Sequence, residues 1–407
     1  MNVLIVTPYF PYPLNCGGNQ AQYHMIDRLR SYLNIHLVYP GCNADYEKHL
    51  AAVWPNVSFH PYKRTAGLMV RDKVVNFISK KMYRTQYEGL DFRYGSEISD
   101  AFVEHLSSVI RDCDIDLMQV DFYRYLFLGF AFPDVKKIFI QHEIGFIKNE
   151  RIITLLGSSG RFKEYQYNKL MAEEIAAMNS YDAVATLTNV DLQVLRDAGV
   201  STEIYSSPAI IPCEQELDEN YEFNKILTFL GGAGHQPNLD GLEWFLHDVW
   251  PTVLAYDGRI KLHVIGNWSA NLIAMYKGKC RNIEFLGYVD DLNLVISNTV
   301  MVVPILVGSG MRMKIIEAGN YGVPFVTTTV GVEGLPYANG IDCLIADGAS
   351  AFAENVIRLI ADSELCKLLR RNSYDVTQMS FSPAALAEIR CGIYSKICGA
   401  ICGDSNE

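Results

Sequence analysis

Short apolar runs alternate with amphipathic stretches through both halves of this 407-residue chain, and an acidic, aperiodic segment separates the halves. In the first half, continuous apolar runs predict buried strands over Asn2–Thr7, Ile35–Tyr39, Val57–Tyr62, Leu117–Val120, Lys137–Ile140 and Ala183–Thr188. Residues at helical spacing between them predict a helix opening at Gly17-Gly18 and running through Leu29. Further helices are expected over Ser96–Arg111, over Glu150–Asn179 with a break at 157–160, and over Asn189–Ala198. The second half repeats the pattern. Strands are expected at Ile226–Leu230, Lys261–Gly266, Ile283–Val289, Val300–Leu306 and Pro324–Thr327. Helices are expected at Leu239–Leu254, Met311–Tyr321, Ser350–Ile360, Ser363–Arg371 and Pro383–Ile401. Strand–helix alternation of this kind argues for α/β architecture with parallel, doubly wound sheets. Ser206–Asn224 holds two prolines and, from Glu214 to Glu222, five acids, which is linker composition. The expected organisation is residues 1–207, a linker at 208–224, residues 225–381, and a terminal helix over 382–402 that returns to the first domain.

Composition narrows the class without naming it. Apolar residues make up 49% and charged residues 20%, which is ordinary for globular domains, and 407 residues suffice for two of them. A net charge of −11 gives no footprint for a nucleic-acid partner. Ten cysteines occur without C-x-x-C pairs, which points to reduced thiols; Cys391, Cys398 and Cys402 at helical spacing read as core, not metal ligands. The opening Met1–Val6 lacks the basic start of a signal peptide, and no run of about 18 apolar residues predicts a membrane span. A cytoplasmic protein is expected. Against the acidic background, residues 63–84 carry seven basic side chains and one acid, interleaved with apolar ones. Such a segment is either a solvated helix face or a surface for an anionic membrane, which would make the chain peripheral on the membrane's inner face.

The most specific chemistry lies between Pro304 and Leu335. Gly308-Ser309-Gly310 turns the chain out of a strand, and the helix that follows carries Arg312 and Lys314 in its first turn, with Glu317 a turn later. Helix N-termini are partially positive and favour acids, so cations there invite an anion: a phosphate held by backbone N–H groups and both side chains. Glu317 is placed to accept hydrogen bonds from sugar hydroxyls. The turn Gly231–Asn238, with Gly232 and His235, is a second glycine-rich strand-to-helix connection, and Gly17-Gly18 a third; a lone Gly-Gly is also ordinary turn chemistry. Gln141-His142-Glu143 follows a strand directly, where open α/β sheets place ligands; the plainer alternative is that His142 merely caps the next helix. The G-x-G-x-x-G dinucleotide fingerprint is absent.

Gly308–Ala318, Gly322–Thr328 and Gly331–Leu335 resemble the donor-binding core of the retaining GT-B glycosyltransferases of family 4. Many members there carry G-S-G-T-R-L-K-x-L-E-A, G-x-P-V-V-T-T and G-x-E-G-L. The resemblance implies two Rossmann-like, doubly wound domains facing a central cleft. It further implies transfer of a sugar, with retention and without a metal, from a nucleoside-diphosphate sugar to a glycan, lipid-linked or other hydroxyl acceptor, as in polysaccharide biosynthesis. No cofactor is implied, the nucleotide-sugar being a substrate, and no D-x-D triplet is read as a metal–diphosphate holder. Carried over by position, Arg312, Lys314, Gly17, Gly18, Gly232, His235, Gly308, Ser309, Gly310 and Met311 would meet the donor phosphates and sugar. Leu286, Tyr288 and Val289 would flank the base, Glu317 would hold the ribose, and His142 would orient the sugar or acceptor. Two departures stand out. The Arg and Lys usual in the loop after the second half's first strand are absent, and the family's acid eight residues before Glu317 is Ser309. The alternatives are a sugar-nucleotide epimerase of the same fold and a catalytically inert donor-binding subunit.

Overall fold

The computed structural model describes residues 1–14, 17–63, 98–155, 160–212, 215–218, 221–308 and 310–399. Two parallel sheets form within them. The first contains β1 (Asn2–Val6), β2 (Asn34–Pro40), β3 (Val57–Tyr62), β4 (Leu117–Asp121), β5 (Lys137–Gln141), β6 (Ala183–Thr186) and β7 (Glu203–Ser206), ordered β3-β2-β1-β4-β5-β6-β7. The second contains β8 (Ile226–Leu230), β9 (Lys261–Ile265), β10 (Ile283–Gly287), β11 (Val300–Val303), β12 (Phe325–Thr327) and β13 (Leu344–Ile345), ordered β10-β9-β8-β11-β12-β13. Central strands are covered on both faces, which is why they read as unbroken apolar runs: Val3, Leu4, Ile5 and Val6 are all fully buried, as are Val300, Met301 and Val302. Register follows from that burial; Val3 pairs with Ile35 on one side and Leu117 on the other.

The chain divides into two compact units. The first comprises Met1–Pro13, Gln22–Ile210 and the chain from Ala384 onward; the second comprises Leu14–Ala21 and Ile211–Pro383. The closing helix, Pro383–Cys398, belongs with the first unit through a buried polar anchor. Arg390 Nε donates to Ser207 Oγ at 2.7 Å and its Nη2 to the Ser207 carbonyl at 3.2 Å, while the Tyr394 hydroxyl donates to Gln119 Oε1.

Several elements differ from expectation for local reasons. The helix expected over Leu239–Leu254 is Gln236–Trp244, a π-turn at Phe245–Val249, then Trp250–Tyr256. Pro251 has no N–H to donate back to His247, and the wider turn absorbs that break. The helix expected from Met311 begins at Met313, so Arg312 is its N-cap, outside the first turn. The helix Ala44–Val53 and strand β7 had no expectation; the former is nucleated by Asn43, whose Oδ1 accepts from the Asp45 N–H at 2.9 Å. Of the basic segment 63–84, all beyond Lys63 lies outside the described residues, as does Ser309. Among the described residues no helix is long and apolar enough to cross a membrane.

Candidate functional site

Both sheets reverse their winding at one place, between β1 and β4 in the first and between β8 and β11 in the second. Loops leaving the C-terminal ends of such neighbouring strands part in opposite directions and open a crevice.

In the second unit that rim is built almost wholly from turns. β8 is followed by Gly231-Gly232 and the helix Gln236–Trp244; β11 is followed by residues 304–308 and, beyond Gly310, by the helix Met313–Asn320. A side-chain bridge joins the two turns across the reversal: Lys314 Nζ donates to Asn238 Oδ1 at 2.6 Å, and Asn238 Nδ2 donates to the Gly232 carbonyl at 2.9 Å. Asn238 lies so close under the first turn that a Cβ on Gly231 would stand 2.7 Å from its amide, so glycine is required there. Lys314 also sits 5.4 Å over the ring of Phe229. Arg312 is buried; its Nη1 donates to the Gly310 carbonyl and its Nη2 to the Val330 carbonyl at 3.2 Å, tying the turn after β11 to the one after β12. Because a trans peptide holds C=O and N–H on opposite sides, binding the Gly310 carbonyl turns the Met311 N–H away from the guanidinium. Gly310 itself has φ 79°, open to glycine and costly for other residues.

Burial sets the electrostatics here. The ammonium of Lys314 is pushed down to about 7 by burial, with Glu317 opposing that shift and Arg312 adding to it. The carboxyl of Glu317, nearly sequestered, is pushed up to about 7 by burial, opposed by a hydrogen bond from the Gln20 side chain and by Lys314. Gln20 comes from Leu14–Ala21, the early segment that groups with this unit, and a Cβ on Gly17 would stand 3.2 Å from Met313 Cγ. Gly17 is thus brought to the Met313 helix, and Gly18 follows it in the helix Gly17–Leu29. His235 is the exposed N-cap of the helix Gln236–Trp244. Leu286, Tyr288 and Val289 flank the end of β10, joined to the same rim where the Gly266 N–H donates to the Gly287 carbonyl at 2.7 Å. Gly308 lies beside Arg312, its virtual Cβ 3.7 Å from Nη2.

In the first unit the corresponding rim is a side-chain network. Asp121 ends β4, is almost fully buried, and places Oδ1 3.1 Å from His142 Nε2. Its other oxygen accepts from Gln119 Nε2 at 2.9 Å and from Gln22 Nε2 at 3.2 Å. An ionised carboxylate only accepts, so His142 carries its hydrogen on Nε2, and a neutral ring offers Nδ1 as an acceptor. Phe122 stacks on the imidazole, centroids 4.0 Å apart and planes 14° from parallel. Arg390 closes the network from the last helix, 3.5 Å from Gln119 Oε1. Glu143 instead pairs with Lys148 at 2.9 Å.

The predicted residues therefore gather in two sets, one per unit. Sequence reasoning missed Asn238, Gln20, Gln22 and Gln119, and it gave Asp121 no role. Asn238 had a signal in the Pro237-Asn238 step that opens a helix after glycines; the glutamines had none. The letters D-x-D do occur, at 112–114 and 114–116, but they end the helix Asp100–Asp112 and precede β4, at the opposite end of that strand from Asp121.

Residues 224–362 match a family model described as "Glycosyl transferases group 1". A curated relative, an "Uncharacterized 44.6 kDa protein in cps region" of Klebsiella pneumoniae, is 26% identical over 163 residues; the match spans 38% of this chain and 42% of that relative's length. Among solved structures, sucrose-phosphate synthase from Thermosynechococcus elongatus superposes with a TM-score of 0.71 at 14% identity, covering 98% of this chain and 99% of the other. Anabaena HepE, solved in complex with UDP, gives a TM-score of 0.68 at 11% identity, covering 97% of this chain and all of that one. These structural likenesses establish the two-unit Rossmann-like fold.

Proposed function

We propose that this chain, whose residues 224–362 match the glycosyl transferases group 1 model, transfers a sugar from a nucleoside-diphosphate sugar to a hydroxyl acceptor. One observation carries the reading: a partly buried cation, Lys314, reaches across the second sheet's reversal to a neutral amide oxygen, 2.6 Å away on Asn238. A buried ammonium is costly unless paired. The diphosphate of a donor supplies the counter-charge, and Lys314 exchanges Asn238 for phosphate oxygen. Arg312 holds the neighbouring turns so that backbone N–H groups, that of Met311 included, meet the same anion. Glu317 accepts from ribose hydroxyls, Gly17, Gly18, Gly232, His235, Gly308, Ser309 and Gly310 border the phosphates and sugar, and Leu286, Tyr288 and Val289 flank the base. His142, oriented by Asp121, positions the sugar or the acceptor.

The chemical demand is to stabilise a nucleoside diphosphate as it departs from the anomeric carbon. Fixed cations and helix N-termini supply that stabilisation without reorganising. No carboxylate is assigned as a covalent nucleophile, which favours same-face transfer, retaining configuration, with the leaving diphosphate guiding the acceptor's proton. The cps region that holds the Klebsiella relative makes a polysaccharide or lipid-linked glycan the first acceptor class to try. Segment 63–84 is assigned to an anionic membrane surface, and reversing Lys73, Lys80 and Lys81 should abolish co-sedimentation with anionic vesicles.

A thermal-shift series against UDP, GDP and ADP tests the donor reading. One base should raise the melting temperature, because a ligand binding only the folded state stabilises it. No shift with any of the three at millimolar concentration contradicts it.

A further inference from the structure

We propose that His36, His60 and Cys113 form a zinc-type metal site in the first unit, remote from the donor and acceptor chemistry. The three side chains come from three elements. His36 lies on β2, His60 on β3, and Cys113 caps the helix Asp100–Asp112 that leads into β4. His36 pairs in register with Ser58 and Val38 with His60, so both imidazoles project from the same face of the sheet, two residues apart on adjacent strands. His36 Nδ1 and His60 Nε2 stand 3.2 Å apart, with rings stacked at 5.4 Å and 19°. Cys113 Sγ joins them, and the three donor atoms all lie within 4.8 Å of one another.

The 3.2 Å between the two ring nitrogens is close to one edge of a tetrahedral zinc shell. Zinc–nitrogen distances of about 2.0–2.1 Å and a zinc–sulfur distance of about 2.3 Å give edges of roughly 3.3–3.6 Å between ligands. Two imidazoles and a thiolate are borderline-soft donors, which select zinc over magnesium or calcium, ions that take oxygen. Both rings bind an ion in their neutral form, through the ring nitrogens that already face each other. Cys113 is unpaired by any disulfide and is flanked in sequence by Asp112 and Asp114, which add negative potential for a cation.

The three protein donors leave one position of a tetrahedral shell for water. The site joins β2 and the edge strand β3 to the turn between the helix Asp100–Asp112 and β4. Binding deprotonates the Cys113 thiol and releases one proton per ion.

The test uses the full chain, stripped with EDTA and titrated with Zn²⁺ alone against a chromophoric chelator. One zinc per chain is expected, weakened by at least about tenfold in His60→Gln and in Cys113→Ser, since even outer-shell changes have effects of that size. Co²⁺ in place of zinc should show a thiolate-to-cobalt charge-transfer band that disappears in Cys113→Ser. The melting temperature of wild type should rise with zinc, and that of His36→Gln/Cys113→Ser should not. Affinity and cobalt spectrum unchanged in these variants would overturn the site. Should the variants not fold, the wild type decides alone: absence of the cobalt band overturns it. UDP binding should be the same with and without zinc, so failure of this site and failure of the donor site are separately visible.

Discussion

The two units answer the same topological opportunity in opposite ways. Each sheet reverses its winding and opens a rim of loops. In the second unit the rim is lined by glycine turns and two cations, with Asn238 the bridge between them. In the first it is lined by side chains locked to each other, Gln119, Gln22 and His142 all converging on the carboxylate of Asp121. The first arrangement presents positive charge and backbone N–H groups, which suits an anion arriving with its own charge. The second fixes one imidazole by a carboxylate and a stacked ring, which suits orienting a neutral hydroxyl. Fold does not assign either role; the atoms at the rim do.

The contrast is broken most sharply at Lys314. Lys314→Ala should lower turnover on the order of a hundredfold, the usual effect of removing one preorganised partner of a departing charge. Full turnover in that variant would dissolve the distinction between the rims. Next in size is Glu317→Ala, which should weaken binding of the nucleoside diphosphate by about 1–3 kcal/mol, the loss for an orphaned polar contact, read by calorimetry. The first unit should respond differently. Asp121→Asn sets an amide against two glutamine donors and the histidine, and should reduce turnover about tenfold, equivalent to about 1.4 kcal/mol, while leaving donor affinity unchanged. An equal loss of donor affinity would mean that the two rims do not divide the work.

The smallest effect is a proton. Burial pushes the Lys314 ammonium down to about 7 from 10.5, so between those values the unfolded chain binds more protons, and stability rises with pH through that window. Glu317, raised to about 7 from 4.5, has the opposite sign: it stabilises at low pH, and that contribution fades as pH climbs from 4.5 to 7. A bound diphosphate favours the ammonium, so donor binding near pH 8 should take up a fraction of a proton. Binding heats measured in two buffers of different ionisation enthalpy reveal it, and Lys314→Met should erase the difference.

Much of the architecture was legible because buried parallel strands write themselves as unbroken apolar runs, and Val300–Val303 and Val3–Val6 are examples. The glycines and cations of 308–317 were equally plain, since their spacing is local. The helix start was misplaced by two residues because Arg312 caps through its backbone position, and no serine or aspartate announces it. What stayed hidden was long-range. Arg390 and Gln119 are 271 positions apart, and nothing in either neighbourhood shows that they meet. Asn238 and Lys314 are 76 apart, and their pairing depends on two loops closing over one reversal. The glutamines around Asp121 lie in apolar strands and a helix whose periodicity marks only burial.

On this account the second unit's rim seats a nucleoside diphosphate. A crystal structure with the nucleoside diphosphate that shifts melting most tests it directly. The account predicts phosphate oxygen within hydrogen-bonding distance of Lys314 Nζ, with Asn238 released and the ribose against Glu317. A nucleotide bound away from both the 308–317 turn and Asn238, with the Lys314–Asn238 bond intact, would contradict it.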